Sequence, residues 1–277
     1  MPPESRVLVN HMSGVHTLRF DDKKEGRITL VKGMKRTPRS QDRMDIRDGL
    51  NVFETMRSYT SREGCVVACL CEHLERLALS AKLMTIPIPD FRDIESEINE
   101  VAVGDRSIRV TLNLTGGRTV ESYPFDFSRV GAPVSVGVFE VADTPMYPSN
   151  AKHGARSEWS RSAVEQGVDE VLLISSQGEI LEANNSNVFL VIDDRVVTPP
   201  LDGRLLAGIT RHRVIQLATE LGFKVSFRPI RLSDDFDEMF LTSSLKQVAP
   251  VSSICGRPLM GRSVATKLNQ SLSALFC

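Results

Sequence analysis

The chain lacks any hydrophobic run long enough to span a bilayer, any internal repeat and any low-complexity tract, which argues against a helical membrane anchor. Charge of one sign is also missing. Its 34 Lys and Arg nearly cancel 35 Asp and Glu, for a net charge of −1, so no basic face for nucleic acid is implied. Cysteine is scarce and odd in number at five, with no secretory leader ahead of it, so a disulfide framework is not expected. Cys65, Cys69 and Cys71 fall in the run CVVACLC, the last two at strand spacing and without a His pair nearby. Buried, reduced thiols are the expectation there, with no metal site. A cytoplasmic globular protein follows, and 277 residues at 41% apolar and 25% charged are long for one core. Two lobes are expected, over residues 1–124 and 133–277, joined by a linker at 125–132 that holds Gly131 and is flanked by Pro124 and Pro133.

What is present is organised around residues 178–191, GEILEANNSNVFLV. The pattern reads as strand, polar turn, strand. Glu182 then sits at a strand end among small polar residues, either facing a ligand or as a turn acid in water. Upstream, strands are expected over 6–11 and 28–32 with charged loops at 21–26 and 35–40. Alternation over 52–59 sets Val52, Glu54 and Met56 against Phe53, Thr55 and Arg57. Leu74, Leu77, Ala81 and Met84 recur at helical steps over 72–84. Helices are also expected over 90–103, up to about 166, from Ile209 after Gly208, and over 263–276. Further strands are expected over 108–114, 134–140 and 169–174. A helix start such as Ile209-Thr210 has free amides that suit a phosphate.

Six segments, in order, resemble the fold-type IV (class IV) pyridoxal-phosphate-dependent aminotransferases, a group that includes branched-chain and D-amino acid aminotransferases and aminodeoxychorismate lyase. They are DGLNVFETMR at 48–57, EHLERL at 72–77, KHGAR at 152–156, the stretch at 178–191, LLAGITR at 205–211 and TSSLKQVAPV at 242–251. The resemblance implies two α/β lobes, a smaller N-terminal one and a larger cofactor-binding one, usually in a homodimer, and a strand-turn-helix over 238–251. It also implies pyridoxal 5'-phosphate as cofactor and a small amino acid or 2-oxo acid as substrate. Lys152 would bond the cofactor's aldehyde and shuttle the α-proton. Glu182 would keep the ring nitrogen protonated. Arg76, Ile209, Thr210, Ser243 and Ser244 would hold the phosphate, and Leu206 would pack on the ring. Arg118, in a Gly-Gly-Arg turn, and Arg156 are candidates for the substrate side.

Departures from the family pattern matter to the reaction. Asn51 stands where relatives have Gly, and no Tyr precedes it. The segment between Lys152 and Gly167 is shorter than in most relatives, and strict counting back from Gly167 lands on Ser149. A serine cannot form the required imine, so Lys152 is assigned. Gln247 stands where many aminotransferases have Glu, in wording closer to lyase relatives. An aminotransferase is therefore the expected activity, with aminodeoxychorismate lyase or a member without catalysis as alternatives.

Overall fold

The computed structural model describes residues 6–11, 14–20, 28–32, 51–62 and 64–275. The segments 21–26 and 35–40 and residues 48–50 lie outside the described residues. The chain divides into two compact units, Met1–Asp126 with Ala151–Ala155, and Phe127–Asn150 with Arg156–Cys277. Residues 151–155, expected in the second lobe, are thus counted with the first.

The first unit is an antiparallel sheet of β1 (Arg6–His11), β2 (Gly14–Phe20), β3 (Ile28–Lys32), β4 (Asn51–Ser61), β5 (Gly64–Val67), β6 (Arg106–Asn113) and β7 (Arg118–Pro124), ordered β1-β2-β3-β7-β6-β4-β5. Period-two alternation directs Val52, Met56, Ile108, Val110, Leu112 and Val120 to one face. There they pack on Leu74, Leu77 and Ala81 of α1 (Leu70–Leu83) and on Ile94 and Ile98 of α2 (Phe91–Val101). The Asp90 side chain caps α2 by accepting from the Arg92 amide at 2.9 Å, which satisfies one of the free amides of the first turn. One expectation is corrected here. The strand ends at Val67 and Cys69 turns through a φ of 53° into α1, so alternation breaks before the last two cysteines. Cys71 is helical and exposed, Cys65 is exposed and Cys69 is half-buried.

The second unit carries β8 (Val134–Glu140), β9 (Glu170–Ile174), β10 (Ile180–Ala183), β11 (Asn187–Ile192), β12 (Arg195–Thr198), β13 (Lys224–Phe227), β14 (Glu238–Ser243), β15 (Gln247–Ile254) and β16 (Arg257–Pro258). The order is β10-β9-β8-β15-β14-β11-β12-β13, with β16 beside β15. β8 runs parallel to β9 and β15, and β12 parallel to β13. Its helices are α3 (Ser157–Gln166), α4 (Ile209–Glu220) and α5 (Ser263–Ala274). Phe189, Val191, Phe240 and Val248 pack on Val214, Ala218, Val264 and Leu268, and the rings of Phe189 and Phe240 stack at 4.9 Å and 6°. Their neighbours Val188, Leu190, Leu241 and Ala249 point the other way, toward Val136, Leu172 and Ile180. The helix expected after the Ser243-Ser244 turn is instead β15, antiparallel to β14. β-branched Val248 and Val251, both buried, favour that outcome. Among the described residues no helix is long and apolar enough to cross a membrane.

Candidate active site

Lys152 belongs to the first unit and is anchored there through its backbone. Its amide donates to Ser80 Oγ at 3.0 Å, and its carbonyl accepts from the Phe53 amide at 3.0 Å. Val52 and His153 form an antiparallel bridge. The segment thus extends the open side of β4 where β5 no longer pairs. Lys152 Nζ lies 4.9 Å from the centroid of the Phe53 ring, and Arg109 Cζ lies 3.7 Å from it. Arg109 shares the strand with Ile108 and Val110 but points away from the helices. Burial pushes its guanidinium pKa down, against the opposing pull of Glu121 and Tyr123. Ser80 and Arg109 were absent from the sequence candidates. The alternation of β6 is the signal that separates Arg109 from the core.

Arg76 is held by a buried carboxylate from β4. Its Nε donates to Glu54 Oε1 and its Nη2 to Glu54 Oε2, both at 2.8 Å, while His73 Nδ1 lies 2.8 Å from Oε2. Burial pushes the Glu54 carboxyl up, but the Arg76 charge, the hydrogen bonds from Arg76 and His73, and the His73 charge outweigh it and bring the pKa down to about 2. The guanidinium fork is thereby fixed in direction.

Arg118 has a different partner from the one expected. Its Nε and Nη2 each donate to Glu97 at 2.8 Å, and Nη2 also to Asp93 at 3.2 Å. In register with Leu112, it lies on the helix-bearing face of the sheet, opposite to Phe53 and Arg109. That geometry commits its guanidinium to α2.

In the second unit Glu182 is 3% exposed, on β10 at a register irregularity, which sets aside the exposed-turn alternative. Its Oε1 accepts from Arg156 Nη1 at 2.9 Å. Its Oε2 accepts from the Leu206 amide at 3.2 Å and from Asn187 Nδ2 at 3.4 Å. Arg156, expected on the substrate side, is instead the ion-pair partner of this carboxylate. Asn187 Nδ2 also donates to the Leu206 carbonyl at 2.9 Å. One carboxamide therefore locks the loop before α4 to β11, a role that the Asn-Val-Phe wording alone did not disclose.

The start of α4 forms a cradle. No side chain caps the helix, so the amides at Ile209 and Thr210 begin it without one. Gly208 is required by space, because a Cβ there would stand 1.8 Å from Asn187 Oδ1. Asn187 pairs in register with Thr242 on β14, which brings this helix start beside the Ser243-Ser244 turn. Thr242 Oγ1 is buried with no hydrogen-bond partner among the described residues. Ser243 and Ser244 are half-buried, and Ser243 Oγ accepts from the Lys246 amide at 3.3 Å. An orphaned hydroxyl, an uncapped helix start and a glycine with no room for a side chain fit a bound phosphate.

The first unit presents a strand-anchored lysine, and the second a buried carboxylate and a helix start that fits an anion, residue types that amine chemistry on a phosphorylated cofactor would use. Residues 51–254 match the model of the amino-transferase class IV family. The chain belongs to that family and is an aminotransferase. It is 30% identical over 247 residues to a putative branched-chain-amino-acid aminotransferase of Methanocaldococcus jannaschii, covering 78% of this chain and 82% of that one. It is 28% identical over 263 residues to the branched-chain-amino-acid aminotransferase of Escherichia coli, covering 82% and 84%. Among solved structures, the branched-chain aminotransferase of the thermophilic archaeon Thermoproteus uzoniensis with norvaline is similar with a TM-score of 0.73 and 26% identity, over 82% of this chain and 85% of that one.

Proposed function

We propose that the protein uses pyridoxal 5'-phosphate to exchange the amino group of a small aliphatic amino acid with a 2-oxo acid. The observation that carries this reading is the buried Glu182 carboxylate, whose Leu206 partner belongs to the loop that opens into the α4 cradle. When bound, the cofactor supplies an aldehyde and a protonated ring that accepts the electron pair released at the substrate α-carbon. The chain's own residues do the rest. Lys152 would hold the cofactor through its amine and would carry the proton of the substrate α-carbon. Glu182 would keep the proton on the ring nitrogen, and Leu206 would pack against the ring. Ile209, Thr210, Ser243 and Ser244 would bind the phosphate, with Thr242 Oγ1 as a further donor, and Arg76, whose fork Glu54 fixes, would be its cation. Arg109 is the group we assign to the substrate carboxylate in place of Arg118.

The aliphatic side chain is supported by the relatives above, whose names refer to branched-chain amino acids. Those names favour transamination over the lyase reaction that the wording at 244–251 had kept open. The backbone anchoring of Lys152 supports an active enzyme despite the short segment that follows it. We further propose a cytoplasmic homodimer, on the family resemblance. The test is a donor panel: purified protein with added cofactor, assayed with leucine, isoleucine, valine and D-alanine against 2-oxoglutarate, and separately with aminodeoxychorismate. Borohydride treatment followed by peptide mapping should fix the cofactor to Lys152. Turnover of aminodeoxychorismate alone, or label on another lysine, would overturn the reading.

A further inference from the structure

The two oxygens of Glu182 are held differently. Oε2 meets two neutral donors, the Leu206 amide and the Asn187 carboxamide, whereas Oε1 meets the full charge of Arg156 at 2.9 Å. Both charges are buried, with Glu182 at 3% and Arg156 at 9% exposure. Arg156 is itself held from two sides: Nη2 donates to the Ser149 carbonyl, and its guanidinium lies 5.0 Å from the Trp159 ring centroid at the start of α3. Its place is therefore set independently of Glu182.

A buried ion pair is weak evidence for stability, since desolvation offsets most of the attraction. A cation against a carboxylate does, however, change how strongly that carboxylate holds a proton or supports one nearby, by about 1–3 pK units for charges within ~4–6 Å. We propose that Arg156 is a positioning residue that fixes the direction of the Glu182 carboxylate and, by neutralising it, weakens its hold on the proton of the cofactor's ring nitrogen. The proposal rests on the reading of Glu182 as the ring's partner. Glu182 with Arg156 presents a pair of near-zero net charge to the ring. Glu182 without it would present a whole negative charge. Arg156 thus sets how fully the ring acts as an electron sink.

The experiment follows the 15N chemical shift of ring-labelled pyridoxal 5'-phosphate bound to the enzyme, from pH 6 to 10. In Arg156→Gln the ring nitrogen should lose its proton at a pH higher than in wild type by roughly 1–3 units. Arg156→Lys keeps the charge and should titrate close to wild type. Glu182→Gln should move the other way. Should the Gln variant not fold, Arg156→Met makes the same comparison with an apolar stem. Coincident curves for wild type and Arg156→Gln, with Glu182→Gln shifted, would overturn the role of Arg156 and leave that of Glu182 standing. A Lys variant that behaves like the Gln variant would overturn the charge argument. An unshifted Glu182→Gln would overturn the assignment of Glu182, and this proposal with it.

Discussion

Replacing Glu54 by Gln removes the one titrating carboxylate from the buried Glu54-His73-Arg76 cluster while keeping its shape. In the folded protein the Glu54 pKa is brought down from 4.5 to about 2. The folded state thus gives up protons relative to the unfolded state, and the contribution is fully present above pH ~4.5 and lost as pH falls through ~2. Its full size is about 3 kcal/mol, at about 1.4 kcal/mol per pK unit. About 1.4 kcal/mol of this should be gone between pH 6 and 3.5, and about 2 by pH 3. At pH 6 the variant also leaves Arg76 facing a neutral amide, so it should be the less stable protein. Urea unfolding of wild type and Glu54→Gln at pH 6, 4.5, 3.5 and 3, without added cofactor, isolates this contribution. Other depressed carboxylates such as Asp90, Asp169 and Asp202 are common to both proteins and cancel. The gap between the two should shrink toward acid by the amounts given. A gap independent of pH would mean that Glu54 is not held ionised by Arg76, and the account of the Arg76 fork would fall.

Three further outcomes follow from the same geometry. Glu182→Gln should keep the cofactor but slow the half-reaction with an accepted donor by a factor of a few hundred or more, about 3–4 kcal/mol, and equal single-turnover rates would refute it. Arg76→Ala should weaken pyridoxal 5'-phosphate about ten- to a hundredfold while leaving unphosphorylated pyridoxal nearly unaffected, as read by titration of visible absorbance. Gly208→Ala drives a Cβ to 1.8 Å from Asn187 Oδ1, so thermal unfolding should show a loss of about 1–3 kcal/mol, and cofactor affinity should fall with it. An unchanged melting temperature would mean that this approach relaxes freely.

Local pattern determined much of this protein by itself. Alternation over 52–59 separated Glu54 from Phe53, and the two do face opposite sides, one toward α1 and the other beneath Lys152 and Arg109. Helical steps placed Arg76 one turn from His73, and the wording of the segments with their order carried the family, because backbone turns and cofactor contacts impose those residue types locally. Partnership was decided only by tertiary structure. Nothing near Arg118 in sequence announces Glu97, 21 residues away, and nothing near Arg156 announces Glu182, 26 residues away. A guanidinium looks alike in sequence whether it meets a substrate or a buried acid, and only sheet register and helix packing choose between them. The same holds for Cys71, whose strand spacing was overridden by a turn at Cys69, and for the segment after Ser244, where pairing with β14 made a strand of it. Burial too belongs to the fold: Thr242 Oγ1 is an ordinary hydroxyl in sequence, and becomes a donor in want of a partner once two strands and a helix start close around it.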